Sequence, residues 1–211
     1  MSCPICNKRK PERYCPAKGE KICAVCCGTE REVTIECSSD CAYLVAAHRY
    51  EDEHRKPVPA GEVPFPDVEF SSDVIHERRP VVSGLAYTLL KFAAGQPALV
   101  DADAMAALGA LAETYRTLGS GIYFERPPAA ALPQGLYAEL AKFIQEFKQP
   151  HAEHAGFSSL KDTEVFYLLL FLLRVGRSRT NGRPRTRRFL EFLRAQFPRT
   201  AEREQPRIIT P

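Results

Sequence analysis

The nine residues Ile22–Glu30, ICAVCCGTE, put three thiols into five positions: Cys23 and Cys26 form a Cys-x-x-Cys pair, and Cys27 follows Cys26 directly. Adjacent side chains point in different directions, so Cys26 and Cys27 serve different purposes. The other cysteines flank this stretch, with Cys3, Cys6 and Cys15 before it and Cys37 and Cys41 after it, and residues 42–211 contain none. A Cys-x-x-Cys turn presents two sulfurs to one ion, so Cys3, Cys6, Cys23 and Cys26 form one set. Cys15, Cys27, Cys37 and Cys41 are left for a second. Eight thiolates fill two tetrahedral zinc sites. The sites interleave along the chain, with Cys26 facing one ion and Cys27 the other. Four thiolates leave no open position for water, so both ions are expected to be structural rather than catalytic.

Competing readings of the cysteines are weaker. A disulfide framework needs an oxidising compartment, and the opening MSCPICNKRK has no apolar stretch of the kind a secretory signal needs. A redox role for Cys23 and Cys26 needs a βαβ context, which is absent. A segment of about 40 residues is too small to hold a core of its own and calls for a metal or disulfides. A structural zinc supplies roughly 10–16 kcal/mol of binding energy that becomes folding energy.

Two interleaved sites, a Cys-x-x-Cys start and a Cys-x-x-x-Cys finish make residues 3–41 resemble the cross-brace, treble-clef zinc fingers of the FYVE, MYND and HIT type. The resemblance implies a compact double-zinc module that serves recognition. It does not extend to phosphoinositide binding, because the basic His-rich motif of FYVE fingers is missing, nor to a histidine ligand, since none falls within residues 1–41.

The rest of the 211-residue chain is 45% hydrophobic overall, enough to bury a real core. Asp40 is placed to cap a helix from Cys41, whose face carrying His48 and Asp52 reads as solvated. The prolines of KPVPAGEVPFPDVEF then mark an extended connector over residues 57–82, pinned by Phe65, Val68 and Phe70. About five helices follow. One is capped by Ser83, one starts at Asp101 or Asp103, and one runs from Pro133 to Lys148 with Pro150 closing it. A fourth starts near Asp162 and a fifth runs from Pro184 to Phe197. The fourth contains VFYLLLFLL, apolar all round, and is expected at the centre of the bundle. The fold class is therefore mainly α. A small N-terminal double-zinc treble-clef-like module over residues 1–56 precedes a helical bundle over 83–198 and a tail over 199–211.

Between Arg174 and Arg194 there are eight arginines, one glutamate and no lysine, against a net charge of only +3 for the chain. Several stand at the start of the fifth helix, where cations oppose the macrodipole. A phosphate would offset them by pairing with guanidinium groups and accepting helix N–H bonds. Arg177, Arg179, Arg183, Arg185, Arg187 and Arg188 are thus the candidate phosphate or nucleic-acid contacts. Since Arg185, Arg187 and Arg188 flank the apolar face of Phe189, Leu193 and Phe197, replacing these three is expected to spare the fold. The alternatives are a solvated turn and docking onto the acidic helix residues Glu51, Asp52 and Glu53.

The sequence shows no phosphate loop, nucleophile elbow or carboxylate pair in a recognisable context. The leading expectation is a non-enzymatic, zinc-containing binding or regulatory protein of the cytoplasm, with a protein partner and a DNA or RNA contact through the arginines. A protein-interaction adaptor that touches no nucleic acid is second. An enzyme with its pocket in the bundle, using Tyr167 or Glu164, is third. His48 and Asp52 could share a helix face but His54 is rotated away from them, and the HAEH of residues 151–154 lacks a third ligand. The longest apolar run, Val165–Leu173, is nine residues, against about 20 for a membrane span.

Overall fold

The computed structural model describes residues 2–153 and 160–197, and the side chains of all of these except 150–153. It is mainly helical, with eight α-helices and one two-stranded hairpin among the described residues. In the N-terminal module, strands β1 (Arg13–Cys15) and β2 (Glu20–Ile22) pair antiparallel, Arg13 opposite Ile22. Gly19, at φ +69°, turns the chain between them. Helix α1 (Ala24–Glu30) follows at once, and α2 (Ala42–Glu53) begins after Cys41. The module's own core holds only two aliphatic side chains, Ile22 and Ile35, among Cys3, Cys15, Cys23 and Cys26. Apolar burial on that scale cannot hold such a segment together.

The connector is less extended than its prolines suggest. A short 3-10 turn covers Ala60–Glu62, and α3 (Ser72–Glu77) is capped by Ser71, whose hydroxyl accepts from the Asp73 N–H. Helix α4 (Arg79–Gly95) starts four residues before Ser83, because Pro80 falls in the first turn, where its missing N–H costs nothing. Phe65, Val68 and Phe70 do pack on the bundle core. Arg174 secures them, donating to the carbonyls of Pro64 (3.1 Å), Phe65 (2.7 Å) and Val68 (2.7 Å).

The bundle consists of α4, α5 (Asp101–Gly119), α6 (Ala131–Glu153), α7 (Asp162–Arg179) and α8 (Arg188–Gln196). Helix α7 buries Val165, Phe166, Leu168, Leu169, Leu170, Leu172 and Leu173 and packs most extensively on α5. Its all-round apolar sequence has this central position as its cause. Further boundaries differ from the sequence expectation. Helix α6 is helical through Pro150 to Glu153. Helix α7 passes Gly176 to Arg179, since that glycine is a packing residue and not a stop: a Cβ there would lie 3.3 Å from the Phe189 ring and 3.4 Å from Met105. Helix α8 begins at Arg188, not Pro184, and Asp40 does not cap α2, whose N-cap is Cys41. No described helix is long and apolar enough to cross a membrane.

Candidate metal centre and its docking seam

Two tight turns bring four cysteines together. In the first, Asn7 adopts a left-handed backbone (φ +53°), and its N–H donates to the Cys3 carbonyl at 2.7 Å. The turn aims the N–H groups of Lys8 and Arg9 at the Cys6 sulfur and holds its pKa at about 6. In the second, the β hairpin delivers Cys23 to the N-cap of α1, where its sulfur accepts from the Cys26 N–H at 3.4 Å. The Cys23 N–H in turn donates to the Cys3 sulfur at 3.3 Å, joining the two turns. The sulfurs of Cys3, Cys6, Cys23 and Cys26 all lie within 4.8 Å of one another, close enough to hold a metal ion. Cys6 and Cys23 are 3.9 Å apart.

Electrostatics favour a cation at this point. Burial pushes the Cys3 thiol up, but backbone N–H bonds from Cys23, Cys6 and Ile5 bring it below the ordinary value. Cys26 goes the other way: burial, followed by hydrogen bonding to the neighbouring sulfurs, pushes it up to about 12. Four convergent sulfurs cannot all carry charge without a counter-ion, and a bound cation deprotonates its thiols outright.

The second set is arranged differently. Among the described residues only the first set has its ligand atoms this close together. Cys15 is buried, and Cys27, Cys37 and Cys41 are half-buried. Burial raises the Cys37 pKa, and the nearby Cys41 and Cys15 charges raise it further, so these three share one neighbourhood. Cys26 belongs to the first cluster and its neighbour Cys27 does not.

The arginine segment meets the cysteine module across a polar seam. Arg188, with only 7% of its side chain exposed, pairs with Asp52 and lies 3.7 Å from Glu51. Arg183 donates to the carbonyls of Gly28 (3.2 Å) and Arg31 (2.6 Å). Arg187 bonds the carbonyls of Leu99 (3.1 Å) and Pro97 (2.6 Å) and the Glu36 carboxylate (2.8 Å). Arg185 reaches Glu36 at 3.5 Å, and Arg177 pairs with Glu62. Arg179 lies over the Phe192 ring, 4.0 Å from its centroid. The start of α8 is served by Asp101, fully buried, whose carboxylate accepts from the Phe189 and Leu190 N–H groups at 3.0 and 3.3 Å. The anion expected at this helix end is therefore a side chain of the chain itself. Burial raises the Asp101 carboxyl to about 6, against the two N–H bonds that lower it.

Sequence reasoning missed the hub of this seam. Glu32 is buried at φ +54°, and its carboxylate bonds His48 Nε2 (3.1 Å) and Asn181 Nδ2 (2.9 Å), while its carbonyl accepts from the Arg185 N–H (2.8 Å). His48 Nδ1 lies 3.5 Å from Glu191. The face carrying His48 and Asp52 is thus a docking surface and not a solvated one. Burial would lower the His48 pKa, but the Glu191 and Glu32 carboxylates overcome it and hold it at about 9. Only the positive φ at a non-glycine residue is unusual about Glu32, and sequence gives no sign of it. His54 stacks on Tyr50, Glu164 pairs with Arg78 at 3.0 Å, and Tyr167 stacks on Phe70. The side chains of the HAEH cluster lie outside the described residues.

No family model, curated protein or solved structure matches this chain.

Proposed function

We propose that the chain is a non-enzymatic binding protein whose N-terminal module is folded by zinc. The supporting observation is the Cys3, Cys6, Cys23 and Cys26 cluster. A tetrahedral zinc with metal–sulfur bonds of about 2.3 Å has sulfur–sulfur edges of about 3.8 Å, and Cys6 and Cys23 stand 3.9 Å apart. Backbone N–H groups already donate to the Cys3, Cys6 and Cys23 sulfurs, the outer-shell bonds that orient metal ligands. Four thiolates close the site, so the ion is structural. A second zinc is held by Cys15, Cys27, Cys37 and Cys41, completing the cross-brace, treble-clef-like arrangement. Removing zinc with a chelator should unfold residues 3–41 and release them from the bundle, read as rapid amide exchange in α1 and α2. A metal-stripped chain with unchanged exchange there would refute the zinc-folded module.

The docked module and bundle act as one recognition unit in the cytoplasm, with a protein partner and a phosphate contact through arginines that keep part of their side chain exposed, such as Arg177 and Arg185. A second reading, an interaction adaptor without nucleic-acid contact, is favoured by the internal partners of Arg183, Arg187 and Arg188. The two separate on salt: binding to RNA or DNA that weakens linearly in log salt supports the phosphate contact, and no binding at low ionic strength leaves the adaptor.

A further inference from the structure

We propose that the cavity between the cysteine module and the bundle binds a nucleoside monophosphate, its phosphate among the arginines and its base against Tyr50. This deepens the reading that the arginine segment contacts phosphate and rests on it.

The cavity, about 450 Å³, opens between the end of α2, the chain after Lys56 and the turn from α7 to α8. That volume lies in the roughly 300–1,000 Å³ range of small-molecule sites. Five cations line it, Arg55, Lys56, Arg177, Arg179 and Arg188, against two carboxylates, Glu51 and Glu62. Arg177 is answered by Glu62, Arg55 by Asp52, and Arg188 by Asp52 and Glu51. Lys56 and Arg179 have no carboxylate partner among the described residues, and Arg179 rests only on the Phe192 ring. Arg188, over nine-tenths buried, leaves its Nη1 without a hydrogen bond, since Glu51 at 3.7 Å is beyond reach. Two uncompensated positive charges lining one cavity match a phosphomonoester, which carries about −1.5 to −2 at neutral pH. A phosphodiester within a polynucleotide carries only one negative charge.

The second half of the ligand is set by the aromatic wall. Tyr50 and His54 lie one turn apart on α2 and stack with centroids 4.0 Å apart and planes 23° from parallel. Tyr50 is still 62% exposed. Each ring fixes the other, so a flat base adds to the stack with little further ordering. The arginine segment's own aromatics are taken, Phe189 in the core and Phe192 under Arg179. The fold supplies others from α2, some 130 residues earlier in the chain, and this makes a phosphate site into a site for a phosphate joined to a ring.

The test is calorimetric titration of the full zinc-loaded chain with AMP, adenosine and inorganic phosphate at low salt, with a single-stranded RNA titrated in parallel. AMP is expected to bind about tenfold or more tightly than either adenosine or phosphate. Tyr50→Ala, at an exposed ring, should weaken AMP about tenfold while leaving phosphate unchanged. Lys56→Gln should weaken AMP and phosphate together. AMP binding no tighter than phosphate, AMP binding insensitive to Tyr50→Ala, or no AMP binding at all would overturn the proposal. If RNA binds with salt dependence and AMP does not, the cavity fails and the phosphate contact of the arginine segment stands. If neither binds, both fail.

Discussion

Replacing Asp101 with alanine removes the acceptor that serves the start of α8. The carboxylate is fully buried and takes two N–H groups, Phe189 at 3.0 Å and Leu190 at 3.3 Å. A buried donor left without a partner costs about 1–3 kcal/mol, and a lost helix cap costs about 0.5–2 kcal/mol. These are the same bonds, so they do not add. Removing a buried charge recovers part of the loss, because burial raises the carboxyl to about 6. The net penalty at pH 7 is about 2 kcal/mol. Its pH dependence has a definite sign. The folded pKa lies above the unfolded one, so this group adds stability as pH falls below about 6 and loses it as pH rises back through that value. The alanine variant lacks that gain, and its penalty should grow by about 1 kcal/mol between pH 7 and pH 5. Urea unfolding of both chains at the two pH values measures this. A penalty below about 0.5 kcal/mol at pH 7, or one that shrinks on acidification, refutes the assignment of Asp101 as the cap of α8.

Three further outcomes follow from the seam and the core. His48 is held at about 9, above its ordinary value, so its contribution is complete below about pH 6.5 and fades as pH rises through 9; it amounts to about 1–3 kcal/mol. The stability difference between the native chain and His48→Gln should narrow over that window, and a difference constant with pH would contradict it. Arg188→Ala removes a buried guanidinium from Asp52 and Glu51, which keep Arg55 and Asn181 as partners, and should lower stability by about 1–3 kcal/mol, whereas Arg185→Ala, half exposed against Glu36, should stay within about 0.5 kcal/mol; thermal unfolding separates them. Gly84→Ala puts a Cβ 2.1 Å from Cζ of Phe143 and should cost about 1–3 kcal/mol by forcing α4 and α6 apart, read in the same urea titration.

The legible parts of the chain were those written in local pattern. The two Cys-x-x-Cys pairs marked the first cluster because each turn fixes its own two sulfurs, and the apolar run Val165–Leu173 marked the central helix by composition. Boundaries were less legible where one residue type serves two ends. Gly176 reads as a stop but is there to admit Phe189, and Pro80 reads as connector but opens α4. The arginine segment was legible as charge and not as placement. The cations do stand at a helix start, as its sequence says, but the anion that answers that start, Asp101, lies 87 residues before Arg188, a pairing only tertiary structure makes. The same holds for Glu32, whose partners His48 and Asn181 come from separate elements. Replacing Arg188 can no longer be expected to spare the fold, because its side chain is inside the seam.

The central claim is that zinc folds the module, with Cys26 and Cys27 serving different ions. Elemental analysis of the reduced native chain and of Cys26→Ser and Cys27→Ser measures it directly. Two zinc ions per native chain are expected, and about one in each variant, Cys26→Ser losing the ion of the first set and Cys27→Ser that of the second. A native chain with one zinc or none contradicts the account, and so does one in which only one of the two substitutions changes the metal content.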